Sequence, residues 1–190
     1  MRRICVYCGS NTGARTEYAE AARGLAAVLV QHGLELVYGG SSKGIMGVLA
    51  DKVLELGGQV HGVIPRQLVA KEVAHSRLTR QHVVGSMHER KTMMASLADG
   101  FIAMPGGFGT LEELIEIVTW AQLRFHDKPC GMLNVRGYFD HLLLYLDHAE
   151  AEGFLRKENR RMLLVDAEAE GLVRQFERYT APTVDKWIDA

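Results

Sequence analysis

Short apolar runs alternate with amphipathic stretches along the chain. Apolar runs bounded by glycine or proline predict buried strands, and apolar residues three and four positions apart predict helices. Such alternation favours an α/β fold, a doubly wound Rossmann-like parallel sheet with helices on both faces. The predicted strands are Arg3–Cys8, Leu34–Tyr38, Val60–Ile64, Thr79–Val84, Phe101–Met104, Gly131–Val135 and Met162–Val165. The predicted helices are Thr16–His32, Gly44–Leu56, Ser86–Ala98, Thr110–Arg124, Tyr138–Glu152, Ala167–Tyr179 and Val184–Ile188.

Length and charge narrow the class of protein. The 190 residues hold no repeat or linker, so we expect one nucleotide-binding domain over residues 1–190. A net charge of −1 gives no electrostatic reason to expect nucleic acid or an anionic membrane as partner. The apolar run after Met1 is too short for a signal peptide, and no run approaches the roughly 18 residues of a membrane span. We therefore expect a soluble, cytoplasmic protein.

Cysteine and histidine spacing argues against a metal site. Cys5 and Cys8 form a Cys-x-x-Cys pattern, which is found in redox and zinc sites. On a strand, however, residues three apart point to opposite faces, and no second cysteine pair or His-x-x-x-His completes a zinc site. The eight histidines show no ligand spacing either. We expect free thiols, as in a reducing compartment, and no metal.

Three glycine-rich turns follow predicted strands, at residues 8–11, 39–47 and 105–110. In doubly wound folds ligands bind at the carboxyl ends of the strands, and inward-facing N–H groups at a helix start bind anions. Thr110 can cap its helix or donate its hydroxyl to a phosphate. Neither the Walker A motif nor the dinucleotide fingerprint fits these turns, which weakens kinase and dehydrogenase interpretations.

Helical periodicity selects two charged residues. Arg90 falls on the apolar face that Met87, Met94, Leu97 and Ala98 define, and Lys91 sits at its edge. Glu113 lies at the flank of the following helix, whereas Glu112 and Glu116 point outward. A charge on a core-facing stripe needs a partner or a ligand. An ordinary buried ion pair and a complement to the helix dipole remain the alternatives. Beside a phosphate site, the pair suggests transfer chemistry at a nucleotide or sugar phosphate.

At these residues the chain resembles a known family. Ser86-Met87-His88-Glu89-Arg90-Lys91 and Pro105-Gly106-Gly107-Phe108-Gly109-Thr110-Leu111-Glu112-Glu113 are similar to the signature pair of the LONELY GUY (LOG) proteins. These are cytokinin-activating phosphoribohydrolases, often labelled lysine decarboxylases. The resemblance implies hydrolysis of an adenine-type nucleoside 5′-monophosphate, AMP or an N6-substituted cytokinin nucleotide, to free base and ribose 5-phosphate. It also implies a homodimer with the site near the subunit boundary. No cofactor is expected.

The resemblance makes Arg90 and Glu113 the catalytic pair. A carboxylate beneath the ribose can stabilise an oxocarbenium-like cation or activate the attacking water. Arg90 can orient Glu113 or bind the ribose hydroxyls and phosphate. The expected substrate-binding residues are Gly9, Ser10, Gly40, Gly44, Met46, Glu72, Met87, Lys91, Gly106, Gly107, Phe108, Gly109, Thr110, Leu111 and Glu112.

Two other functions stay open on the sequence alone. A lysine decarboxylase would need pyridoxal phosphate on a lysine, and Lys43 and Lys91 are the only lysines in the candidate turns and helix faces. A non-enzymatic nucleotide-binding module would keep the glycine turns without needing Glu113. The sequence does not distinguish plain adenine from an N6-prenylated base.

Overall fold

A computed structural model of the chain describes residues 1–69 and 74–182. Its strands are β1 (Arg3–Tyr7), β2 (Glu35–Tyr38), β3 (Val60–Pro65), β4 (Arg80–Val84), β5 (Gly100–Ala103), β6 (Cys130–Leu133) and β7 (Leu163–Asp166). They form a seven-stranded sheet in the order β4-β3-β2-β1-β5-β6-β7, and every pairing is parallel. The predicted Rossmann-like α/β class is confirmed.

Helices connect the strands in sequence. They are α1 (Thr16–Gln31), α2 (Gly44–Glu55), α3 (Arg66–Val69), α4 (Met87–Leu97), α5 (Phe108–Gln122), α6 (Asp140–Ala151), α7 (Lys157–Arg160) and α8 (Ala169–Glu177), with a 3₁₀ turn at Val135–Gly137. The sequence did not predict α3, α7 or the 3₁₀ turn, because a single turn is too short to show helical periodicity. The predicted helix Val184–Ile188 lies outside the described residues. Among the residues described, no helix is long and apolar enough to cross a membrane.

The sheet separates two apolar layers. One layer packs β1 and β2 against α1, α2 and α8, and Cys8 belongs to it. The other packs the opposite side of β1 against α4 and α5, and Cys5 belongs to it. A smaller cluster lies where α5 and α6 cover β6. Cys5 and Cys8 therefore point to opposite faces, as predicted, and both thiols are free and buried.

The three glycine turns meet where the strand order reverses, between β1 and β5. Gly9 N–H donates to the carbonyl of Pro105 at 3.1 Å, and Ile45 N–H donates to the carbonyl of Gly9 at 3.1 Å. Gly44 has a positive φ of 58°, and a Cβ there would overlap the backbone of Ser10 and Asn11. The first and second turns can approach this closely only because residue 44 has no side chain.

Replacing Gly44 by alanine should lower the free energy of unfolding by about 2–4 kcal/mol, because it adds backbone strain and overlap with another backbone segment. Gly24 provides the matched control, since it is exposed within α1 and a Cβ there meets nothing within 4 Å. Gly24→Ala should raise stability by about 0.5–1 kcal/mol. Urea denaturation of both variants measures this contrast, and equal stabilities would contradict it.

Candidate active site

A cleft of about 250 Å³ opens at the carboxyl ends of the strands, beside the point where the strand order reverses. The turns after β1 and β5 form its floor, and α4 and α5 form one side. Most of the residues predicted from sequence line it. The lining consists of Cys8, Gly9, Ser10, Met46, Met87, Arg90, Gly107, Phe108, Gly109, Thr110, Glu112 and Glu113.

The remaining predicted residues lie elsewhere. Gly40 and Gly44 shape the second turn with positive φ values, and neither lines the cleft. Gly106 lines a neighbouring cavity together with Tyr18 and Tyr138. Leu111 packs on the apolar cluster beneath α5. Glu72 lies outside the described residues.

Arg90 is placed by the start of α4. The Ser86 hydroxyl accepts the N–H of Glu89 at 3.1 Å, and the Glu89 carboxylate accepts the N–H of Gly85 at 2.6 Å. This reciprocal arrangement, similar to a capping box, begins the helix one turn before Arg90. The helix then directs the guanidinium inward, over the ends of β2 and β3, where Arg90 is buried.

Two backbone carbonyls hold the buried guanidinium. Arg90 Nε donates to the carbonyl of Val63 at 3.1 Å, and Nη2 donates to the carbonyl of Gly39 at 3.4 Å. A Cβ on residue 39 would overlap the guanidinium, so glycine makes the room for it. Sequence reasoning missed both partners. The signal for one of them was the Gly39-Gly40 pair directly after a strand.

Glu113 faces the same guanidinium from α5. Its Oε1 lies 3.4 Å from Arg90 Nη1, and only about 11% of the Glu113 side chain is exposed. Among the residues described, nothing donates a hydrogen bond to this buried oxygen. Burial raises the pKa of Glu113 to about 7, and the nearby Arg90 partly opposes that rise. A buried carboxylate oxygen that lacks a hydrogen-bond donor is unusual in a folded protein.

The start of α5 supplies backbone donors next to this carboxylate. Gly107 is the N-cap residue, and its lack of a side chain leaves the first turn without a side-chain cap. In the described part of the chain, no group accepts the N–H of Phe108, Gly109 or Thr110. Because α5 begins at Phe108, Thr110 lies within its first turn and does not cap it. The structure thus leaves N–H groups without acceptors at the helix start where the sequence predicted an anion site.

Lys91 is held outside the cleft. Its Nζ lies 2.6 Å from Glu112 Oε1 and 2.9 Å from Glu116 Oε1, and both carboxylates raise the pKa of the lysine. The sequence placed Glu116 on the outward face of its helix, whereas in the structure it is half-buried and pairs with Lys91 of α4. The predicted phosphate-binding cation therefore already has two anionic partners.

The mouth of the cleft is apolar. Met87 is 44% exposed and Phe108 is 92% exposed. The helical wheel placed Met87 on the core-facing stripe, and this prediction was wrong: Met87 is the first residue of α4 and lines the cleft instead. Within residues 1–69 and 74–182, no group of three or more His, Cys, Asp or Glu side chains is arranged to hold a metal ion.

Comparison with known proteins points to one family. A family model described as "possible lysine decarboxylase" matches residues 46–176. A probable cytokinin riboside 5′-monophosphate phosphoribohydrolase of Oryza sativa subsp. japonica is 49% identical over 178 residues, covering 94% of this chain and 80% of that protein. A cytokinin riboside 5′-monophosphate phosphoribohydrolase of Arabidopsis thaliana is 48% identical over 179 residues, covering 94% and 78%.

A solved structure supports the fold at greater evolutionary distance. The Moco carrier protein of Chlamydomonas reinhardtii superimposes with a TM-score of 0.69 at 20% identity, covering 93% of this chain and 96% of that one. At this level of identity the similarity concerns the fold alone.

The raised pKa of Glu113 should make stability depend on pH. Between the ordinary value of 4.5 and about 7, the folded protein keeps a proton that the unfolded chain has lost. Stability of the wild type, relative to Glu113→Gln, should therefore fall by about 1–3 kcal/mol as pH rises through this range. Urea denaturation of both proteins from pH 4.5 to 8 measures the difference, and parallel pH profiles would contradict it.

Proposed function

Because the chain belongs to the LOG family of phosphoribohydrolases, we propose that it hydrolyses the N-glycosidic bond of an adenine-type nucleoside 5′-monophosphate. The products are the free base and ribose 5-phosphate. The observation that carries the proposal is the Arg90–Glu113 pair, which lies beside the free N–H groups of α5. One oxygen of its buried carboxylate accepts no hydrogen bond from the described residues. Such a site can hold the phosphate end of a nucleotide and act on its ribose.

The phosphate binds the free N–H groups at the start of α5, where the helix dipole also favours an anion. This places the ribose over Glu113, one turn further along the helix. Water adds its oxygen to C1′ as the bond from C1′ to the base nitrogen breaks, and one water proton ends on the departing base. Glu113 stabilises the positive charge that develops on the ribose, or accepts the water proton.

Arg90 positions this chemistry. Its two carbonyl contacts fix the plane of the guanidinium, so that Nη1 points at Glu113 Oε1. A fixed cation keeps part of the carboxylate population ionised near neutral pH in spite of its burial. No metal or cofactor enters the proposed reaction.

Hydrolysis explains the site better than decarboxylation, the activity in the description of the family model. A pyridoxal phosphate enzyme needs a lysine amine that is free to form a Schiff base. The Lys91 amine is held between two carboxylates, which favour its protonated form. A carboxylate in a buried cleft, by contrast, is what glycosidic hydrolysis requires.

A homodimer is part of the proposal. The cleft of about 250 Å³ is smaller than the roughly 300–1,000 Å³ of most small-molecule sites. An apolar stripe along α5 borders it, with Phe108 92% and Ile115 42% exposed. A second copy packed on this stripe would bury it and supply the missing wall. We place the protein in the cytoplasm, since free cysteines are typical of reducing compartments.

The activity itself is the main test. Incubation with AMP and with N6-isopentenyl-AMP should release free base, measured by chromatography, and comparing kcat/KM between them identifies the preferred base. Glu113→Gln should lower kcat by about 10²–10⁴, while the affinity for ribose 5-phosphate changes little. Glu20→Gln, which makes the same change of charge at an exposed position of α1, is the matched control. If neither nucleotide yields free base, the proposed reaction is wrong. A nucleotide-binding module would bind AMP with and without the Glu113→Gln substitution and release no free base in either case.

Sedimentation velocity tests the dimer. The wild type should sediment as two copies, and Ile115→Glu should shift it toward one copy and lower kcat/KM, because a charge would be buried in the interface. Leu56→Glu is the control, since Leu56 is equally exposed at the end of α2, on the other side of the sheet. A fully active wild type with the mass of one copy would refute the dimer.

A further inference from the structure

The ammonium group of Lys91 lies between two carboxylates that α5 presents one turn apart. Glu112 and Glu116 are four residues apart, so both project from the same side of the helix and reach the same Nζ. The lysine side chain is about 14% exposed, whereas that of Glu116 is about 29% exposed and that of Glu112 about 54%. Lys91 is therefore ordered along α5 beside the cleft.

The charges around the helix start are nearly balanced. Arg90 faces Glu113, and Lys91 faces Glu112 and Glu116. A phosphate dianion that approaches the free N–H groups of α5 therefore meets a cation that is already neutralised and two carboxylates that repel it. Strong phosphate binding requires Lys91 to leave at least one carboxylate. Its flexible four-carbon stem allows that movement.

Glu112 and Glu116 differ in position. Glu112 lines the cleft, next to the place where the phosphate would bind. Glu116 lies one turn further from the helix start and does not line it. A contact with Glu116 therefore draws the ammonium away from the phosphate, while a contact with Glu112 keeps it nearby.

We propose that Glu116 is a positioning residue that holds Lys91 back from the phosphate and thereby weakens the binding of ribose 5-phosphate. The inference rests on the proposed function. When the phosphate binds, the ammonium moves from Glu116 to the phosphate. Because the ion pair with Glu116 is lost, the net free energy of phosphate binding is less favourable. The arrangement favours release of the phosphorylated product, which would otherwise be held by the helix start and two cations together.

The test is the affinity of Glu116→Gln for ribose 5-phosphate, measured by calorimetry. A partly exposed ion pair contributes up to about 1 kcal/mol, so the variant should bind about two- to fivefold more tightly. KM for AMP should fall by a similar factor, and kcat should not rise. Glu116→Asp, with its shorter reach, should give an intermediate affinity. Unchanged or weaker binding in Glu116→Gln would overturn the inference.

A double-mutant cycle separates action through Lys91 from simple charge repulsion. In a Lys91→Gln background, Glu116→Gln should no longer tighten binding; if it does so equally, Glu116 does not act through Lys91 and the inference is wrong. Glu20→Gln makes the same change of charge on exposed α1, across the sheet, and should leave affinity unchanged. A wild type that releases no base and does not bind ribose 5-phosphate would overturn the proposed function as well. Normal wild-type activity with an unaffected Glu116→Gln would overturn this inference alone.

Discussion

The guanidinium of Arg90 is buried among the ends of β2, β3 and α4, and this placement organises the cleft. A charge in that position must find partners, and here the partners are the carbonyls of Val63 and Gly39. With two donor positions satisfied by backbone, Nη1 is left to face Glu113. The Glu113 carboxylate is thus buried next to a cation, and one of its oxygens accepts no hydrogen bond from the described residues. Its raised pKa follows from that burial.

The glycines of the three turns make this arrangement possible. Gly39 leaves room for the guanidinium, and Gly44 lets the second turn touch the first. Gly107 starts α5 without a side-chain cap, so its first N–H groups remain available. Each glycine is needed for a different steric reason. Together they allow backbone, cation and carboxylate to surround one small space at the carboxyl ends of the strands.

The site contains two groups of opposite charges, which differ in their exposure to solvent. Arg90 and Glu113 are both nearly buried, so solvent screens their attraction only weakly. Lys91 and its two carboxylates lie further out, where solvent weakens their attraction and the pairing can be exchanged. In the proposed function the inner pair acts in bond cleavage, and the outer group acts in the reversible binding of a phosphate.

The sequence by itself determined the fold class, the three turns and the choice of Arg90 and Glu113, because hydrophobic periodicity and glycine placement are local properties of the chain. Its motifs also identified the LOG family, which the relatives confirm. Only the tertiary structure decided what these groups contact: the carbonyls that hold Arg90, the two carboxylates that hold Lys91, and the exposure of Met87 at the cleft mouth. Those contacts join residues that are distant in sequence. Helical periodicity predicts which face of a helix is buried, but it does not predict which residues of other elements pack against that face.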